Sequence, residues 1–145
     1  MDLVLLLSGI KFKEIIMAHY AKVLDGKVIE IMVAEPDFMS TFVDETPGTW
    51  LETSKKTHGG VLYNDDGTKA SDQSGAIRKN YATIGGNYDI WDDAFYEAQL
   101  FTSWSLNKTT YQWEPPITQP GDDYYWDEVA HQADNTKGWT QFSRT

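Results

Sequence analysis

Residues 80–113 read NYATIGGNYDIWDDAFYEAQLFTSWSLNKTTYQW, and this stretch sets the fold class. It is dense in aromatic residues, broken by turn formers, and has no sustained helical period. Tyr88-Asp89-Ile90-Trp91 and Ala94-Phe95-Tyr96 flank Asp92-Asp93. Trp104-Ser105-Leu106 and Thr110-Tyr111-Gln112-Trp113 flank Asn107-Lys108-Thr109. Short β-prone runs on either side of Asp- and Asn-centred turns predict two hairpins. A looser third copy comes later, around Tyr125 and Trp139. Three irregular copies predict small hairpins sharing an aromatic layer rather than a solenoid or propeller.

The strongest turn signal lies nearer the start of the chain. Tyr20-Ala21-Lys22-Val23-Leu24 and Lys27-Val28-Ile29-Glu30-Ile31-Met32-Val33 alternate on either side of Asp25-Gly26. Asp-Gly suits a tight turn that needs positive φ at both central positions, so a hairpin is predicted here. Tyr20, Lys22 and Leu24 then share one face, and Ala21 and Val23 the other. Residues 36–43 (PDFMSTFV) predict one short helical turn with Phe38, Thr41 and Phe42 on one side. Pro47-Gly48 marks a turn, and Trp50-Leu51-Glu52-Thr53 a short strand. Residues 54–76 are rich in Gly, Asp and Ser and read as an exposed loop, apart from a short strand at Val61-Leu62-Tyr63. Gly85-Gly86 permits a bend, and Pro115-Pro116 ends the second aromatic hairpin because proline cannot donate to a ladder. Tyr124-Tyr125-Trp126-Asp127-Glu128 is the last predicted strand. The fold class is therefore mainly β: short antiparallel strands and hairpins, an aromatic core and one short helix.

The chain has 145 residues, enough for one domain with a real core. The expected domain spans residues 17–140, with residues 141–145 as a mobile tail. The start, MDLVLLLSGIKFKEII, has an apolar run far short of the ~20 residues of a membrane helix. It also lacks the basic start and small-residue cleavage site of a signal peptide. Lys13-Glu14-Ile15-Ile16-Met17 can be encoded as AAG GAG, two isoleucine codons and ATG, a purine-rich ribosome-binding sequence before a start codon. The expectation is that translation begins at Met17 and that residues 1–16 are a non-native leader.

Composition excludes several functions. A net charge of -10 argues against nucleic acid as a partner, since phosphates need a basic face, and against docking on an anionic membrane. With no cysteine, thiolate nucleophiles, disulfides and cysteine-based metal sites are ruled out. His19, His58 and His131 have no metal-ligand spacing, and there is no Gly-x-Ser-x-Gly elbow and no phosphate loop. Asn64-Asp65-Asp66-Gly67 is too short for a calcium loop and suits a turn. Residues 89–128 hold nine acids (Asp89, Asp92, Asp93, Glu97, Glu114, Asp122, Asp123, Asp127 and Glu128) against Lys108 alone. A facing carboxylate pair would suit glycoside hydrolysis, but turn formation and solubility account for these acids more simply. No catalytic, cofactor-binding or metal residue is assigned, and the chain reads as a non-enzyme. The remaining candidates are aromatic. Trp91, Trp104, Trp113, Tyr125 and Trp126 are the candidate contact surface, competing with a role in the core.

The order of several motifs resembles that of small uncharacterised proteins of tailed bacteriophages, especially those infecting marine cyanobacteria. The matching pieces are Tyr20-Ala21-Lys22-Val23 with Asp25-Gly26-Lys27-Val28, Pro47-Gly48-Thr49-Trp50-Leu51-Glu52-Thr53, Arg78-Lys79-Asn80-Tyr81-Ala82, Tyr88-Asp89 with Asp93-Ala94-Phe95, Ser103-Trp104-Ser105-Leu106-Asn107 with Trp113-Glu114-Pro115-Pro116, and Tyr125-Trp126-Asp127-Glu128. The likeness covers residues 17–128. It departs at residues 129–137, which separate the Trp-Asp-Glu run from its closing Trp139 and leave the last strand pairing open. The resemblance implies a phage accessory structural protein, in the virion or tail, that contacts phage structural proteins or itself. Action in the host cytoplasm during infection is the other location it leaves open. It carries no catalytic residue. A carbohydrate-binding module for host-surface recognition, with a glycan as partner, is the alternative.

Overall fold

The computed structural model describes residues 2–4, 11–13 and 16–143. The fold is mainly β, as the sequence predicts. β1 (Asp2–Val4) pairs antiparallel with β2 (Lys11–Lys13). Residues 1, 5–10 and 14–15 of the expected leader lie outside the described residues, as do residues 144–145 of the expected tail.

β3 (Ala18–Leu24) and β4 (Lys27–Ala34) form the Asp25-Gly26 hairpin. Both turn residues have positive φ, 51° and 75°, as a primed turn requires. Lys22 pairs with Glu30 and Val23 with Val28, so Ile29 is the extra residue of a bulge. β5 (Thr49–Thr53) adds to the other edge of β3. β8 (Asn87–Asp89) joins β4 only at Lys27, and β9 (Ala94–Tyr96) comes next, giving the order β5-β3-β4-β8-β9. Alternation places Ala21 and Val23 on the face that packs against Val28, Ala82 and Phe95, with Ile31, Leu51 and Tyr88 around them.

The opposite face holds a buried charge. Lys22 is 2% exposed; its Nζ donates to Asp44 Oδ2 at 2.5 Å and to Thr46, and lies 5.9 Å from the Trp50 ring centre. The Trp50 indole donates to the same carboxylate oxygen at 3.0 Å. A buried ammonium persists only with such partners. The Lys22 ammonium, then Thr46 and Trp50, hold the Asp44 carboxyl far below the usual carboxylate range. Gly48 makes room for it, since a Cβ there would sit 2.7 Å from Lys22 Cε. Helix α1 (Pro36–Thr41) stands where one turn was expected, and Phe38, Phe42 and Trp50 stack in series beside this pair.

Residues 54–76 are more ordered than an exposed loop. β6 (Thr57–His58) and β7 (Val61–Leu62) pair around Gly59-Gly60, both at positive φ. Gln73 fastens Leu62 by exchanging hydrogen bonds with its backbone at 2.8 and 2.9 Å.

The two predicted aromatic hairpins form, the first as β8–β9, and a third, whose pairing the sequence left open, forms as well. The second is β10 (Ser105–Asn107) with β11 (Gln112–Glu114), and the third is β12 (Tyr124–Trp126) with β13 (Trp139–Gln141). Three expectations need correction. The last strand stops at Trp126, because Asp127 accepts the Ala130 N–H at 3.0 Å and caps a second helix, α2 (Glu128–Ala133). Gln141 belongs to β13 rather than to a tail. The Phe142 N–H also bonds the Asp123 carbonyl at 2.8 Å, and its ring packs on Tyr125. Ile90 and Trp91 leave their strand early, since β8 ends at Asp89.

Candidate functional site

The first two hairpins turn by one device. Asp89 Oδ1 accepts the N–H groups of Trp91 (2.9 Å) and Asp92 (3.1 Å), and Asp93 then takes φ 52°. Asn107 Oδ1 accepts those of Thr109 (2.8 Å) and Thr110 (3.1 Å), and Tyr111 then takes φ 57°. Asp and Asn suit this position because a short side-chain carbonyl reaches its own backbone two residues on.

The two turns lock together. Asp89 Oδ2 accepts from Lys108 Nζ at 3.1 Å and from the Tyr111 hydroxyl at 3.0 Å, and that hydroxyl also meets Asp92. The Asp92 N–H, then Lys108, hold the Asp89 carboxyl at about 2. Burial, then the Asp92 carboxylate, push the Tyr111 phenol up to about 12. Asn80 completes the frame. Its Nδ2 lies within hydrogen-bonding distance of the Phe95, Thr110 and Tyr111 carbonyls, and its Oδ1 accepts the Gly59 N–H at 2.9 Å. Arg78 ties the first hairpin to β5, bonding Asp93 and the Glu52 carbonyl, each at 2.9 Å.

The structure does not gather the five candidate contact aromatics into one exposed surface: Trp104 and Trp126 pack together, Trp104 and Trp113 line one cavity, and Trp91 and Tyr125 are exposed. Trp91 stands at the tip of the first hairpin, 93% exposed, beside an exposed Ile90. Tyr125 is partly exposed and stacks on Phe142 at 5.0 Å. Trp113 is half-buried, and its indole donates to the Glu97 carbonyl at 2.8 Å. Trp104 is half-buried against Phe101, Trp126 and Trp139, at 5.3 to 6.1 Å between ring centres. Trp126 is 7% exposed and is a core residue, which corrects its place in the contact surface.

What holds Trp126 is Glu128. Its carboxylate accepts from the Trp126 indole (2.8 Å), the Ser103 N–H and hydroxyl (2.9 and 2.6 Å), the Thr102 hydroxyl (2.8 Å) and the Gln132 amide (3.2 Å). These donors, Ser103 first, hold the Glu128 carboxyl at about 2. One acid thus clasps the third hairpin to the segment entering the second. Trp104 Nε1, by contrast, is buried with no hydrogen-bond partner among the described residues.

A cavity of about 450 Å³ opens between the second hairpin, the β6–β7 turn and the segment after β9. Its apolar wall is Tyr81, Phe101, Trp104, Tyr111 and Trp113. Its polar ends include His58, Glu97 and Gln112. Of the expected contact residues only Trp104 and Trp113 line it. Tyr81, Phe101 and Gln112 come from separate segments with no shared spacing, so the sequence did not mark them as candidates. No group of three His, Cys, Asp or Glu among the described residues converges to hold a metal ion. Glu97 is the single carboxylate lining the cavity, so no facing acid pair forms there. No helix among the described residues is long and apolar enough to cross a membrane. No family model, curated protein or solved structure matches this chain.

Proposed function

We propose that this chain is an accessory structural protein of a tailed-phage particle, acting by protein–protein contact through the tip of its first hairpin. The observation that carries the reading is Trp91. An indole 93% exposed on a turn fixed by two side-chain hydrogen bonds has no packing role within the fold. Seating such a ring buries ~200 Å², worth about 5 kcal/mol before losses at ~25 cal/mol per Å². The rigid turn lowers the ordering cost that a partner would otherwise meet. Tryptophan anchors of this kind dominate many interfaces. The resemblance of its motif order to small phage proteins supports the particle as the setting, and the charge of -10 turns the choice away from nucleic acid and anionic membrane.

Mass spectrometry of purified phage particles from cells expressing the gene tests this. Stoichiometric recovery of the chain is expected. Trp91→Ala should remain folded yet be lost from the particles. Absence of the unaltered chain from particles in which other minor proteins are detected would overturn the reading.

A further inference from the structure

The cavity beside the second hairpin has no part in the contact made by Trp91. We infer that it is a binding subsite for a neutral saccharide, a pyranose ring seated on the aromatic wall. Charge narrows the ligand class first, and shape then selects within it.

Anions are disfavoured because no Lys or Arg lines the cavity and the chain carries -10 overall. Cations are disfavoured because two of its rings already carry one. Lys55 Nζ lies 5.8 Å from the Tyr81 ring centre, and Lys108 Nζ lies 4.7 Å from that of Tyr111. A further cation on this wall would meet the Lys55 ammonium at Tyr81, and at Tyr111 it would compete with Lys108, which Asp89 already pairs at 3.1 Å. A neutral ligand remains.

The polar ends select its chemistry. The Glu97 carboxylate, the Gln112 amide and the His58 ring nitrogens have no hydrogen-bond partner among the described residues. They stand on three separate pieces of backbone: after β9, on β11 and on β6. A flat heterocycle offers polar atoms at one or two edges. A pyranose offers hydroxyls around its whole rim, together with an apolar C–H face for an indole or phenol. A carboxylate accepts from hydroxyls, while an amide and an imidazole both donate and accept. The volume, about 450 Å³, lies within the range of small-ligand sites and takes one or two sugar rings. Gly59 keeps the rim open: a Cβ there would sit 3.3 Å from Gln112 Oε1.

The wall is also built to stay in place. Asn80 and the Asp89–Tyr111–Lys108 cluster hold Tyr111, and the Glu97 carbonyl holds the Trp113 indole. A preformed aromatic wall with unpartnered polar ends is the usual form of a small-ligand site.

The test uses the full chain and a panel of methyl glycosides of glucose, galactose, mannose and N-acetylglucosamine, with adenosine, glucose 6-phosphate and glucosamine as controls. Binding is followed by amide and indole NMR shifts. At least one neutral glycoside should bind saturably, with shifts centred on Trp113, His58 and Gln112. Glu97→Ala and Gln112→Ala, at exposed side-chain ends that the fold does not use, should each weaken binding about tenfold, the loss of roughly one good hydrogen bond. Trp113→Phe should weaken it while leaving the chain folded. No saturable shift with any glycoside, shifts indifferent to Glu97→Ala and Gln112→Ala, or preference for adenosine, the phosphate or the amine would each overturn the inference. Particle incorporation should be unchanged in Glu97→Ala, so this inference and the contact through Trp91 fail independently.

Discussion

The first and third hairpins place a Trp beside an Asp and treat it in opposite ways. In the first, Asp89 takes the N–H groups of Trp91 and Asp92, and the chain has reversed by Ala94. No segment is left to fold back over the indole, so Trp91 stays in solvent. In the third, Asp127 takes the N–H of Ala130 and starts α2. The extra chain carries Glu128, His131 and Trp139 onto Trp126, with ring centres at 5.0 and 5.2 Å. The difference lies in the residues immediately after each Asp. Glu128-Val129-Ala130-His131-Gln132-Ala133 contains good helix formers, whereas Ile90-Trp91-Asp92-Asp93 does not. A Trp–Asp neighbourhood therefore says little about exposure until the local turn is known.

Truncating both rings tests this contrast most directly. Trp126→Ala should cost about 3–5 kcal/mol in urea unfolding, the usual range for a buried large aromatic. It also leaves Glu128 with one donor fewer. Trp91→Ala should stay within about 0.5 kcal/mol of the unaltered chain, as exposed positions do. Equal losses would mean that the two rings do not differ as described.

A smaller effect isolates the clasp. The Glu128 carboxyl is held at about 2, against its ordinary 4.5. A depressed carboxyl contributes stability that is fully present above about pH 4.5 and is lost as pH falls through about 2. Glu128→Gln should be less stable at neutral pH than the unaltered chain. It should also lose less on acidification across that window, because the charged acceptor is already gone. Thermal unfolding from pH 7 downward checks both; parallel curves would show that Glu128 does not carry the acid sensitivity.

Legibility in the sequence divides in the same way, between local and distant. The Asp25-Gly26 hairpin and the turn at Asn107 depend on residues within a few positions, so propensity and spacing were sufficient; the first aromatic hairpin was legible too, but its residues point to a turn at Asp92-Asp93 whereas Asp89 opens it. α2 was also written locally, as an Asp before Glu-Val-Ala, but the aromatic run ahead of it favoured continuing the strand. The Lys22–Asp44 pair was not legible, because nothing in an alternating strand marks one Lys as buried until a distant Asp, Thr and Trp converge on it. The cavity was hidden for the same reason. Trp104 and Trp113 stood out by type, but their partners Tyr81, Glu97 and His58 come from elsewhere in the chain. Separating the displayed Trp91 from the enclosed Trp126 required the turn geometry.

The mildest substitution is the most informative about that geometry, because the second hairpin already contains the control. Asn107 makes the same turn that Asp89 makes, with an amide in place of a carboxylate. Asp89→Asn keeps the oxygen that accepts from Trp91 and Asp92, so the turn should persist and Trp91 should stay exposed. What it removes is the charge facing Lys108, which now lies 3.1 Å from Asp89 and is held well above its ordinary value by Tyr111 and Asp89. Hydrogen exchange at the Trp91 and Asp92 amides separates the two roles. Protection should be nearly unchanged in Asp89→Asn and lost in Asp89→Ala, while the Lys108 ammonium titrates lower in both. If Asp89→Asn releases those amides as fully as Asp89→Ala, the ion pair rather than the side-chain turn fixes the tip, and the two hairpins turn by different means.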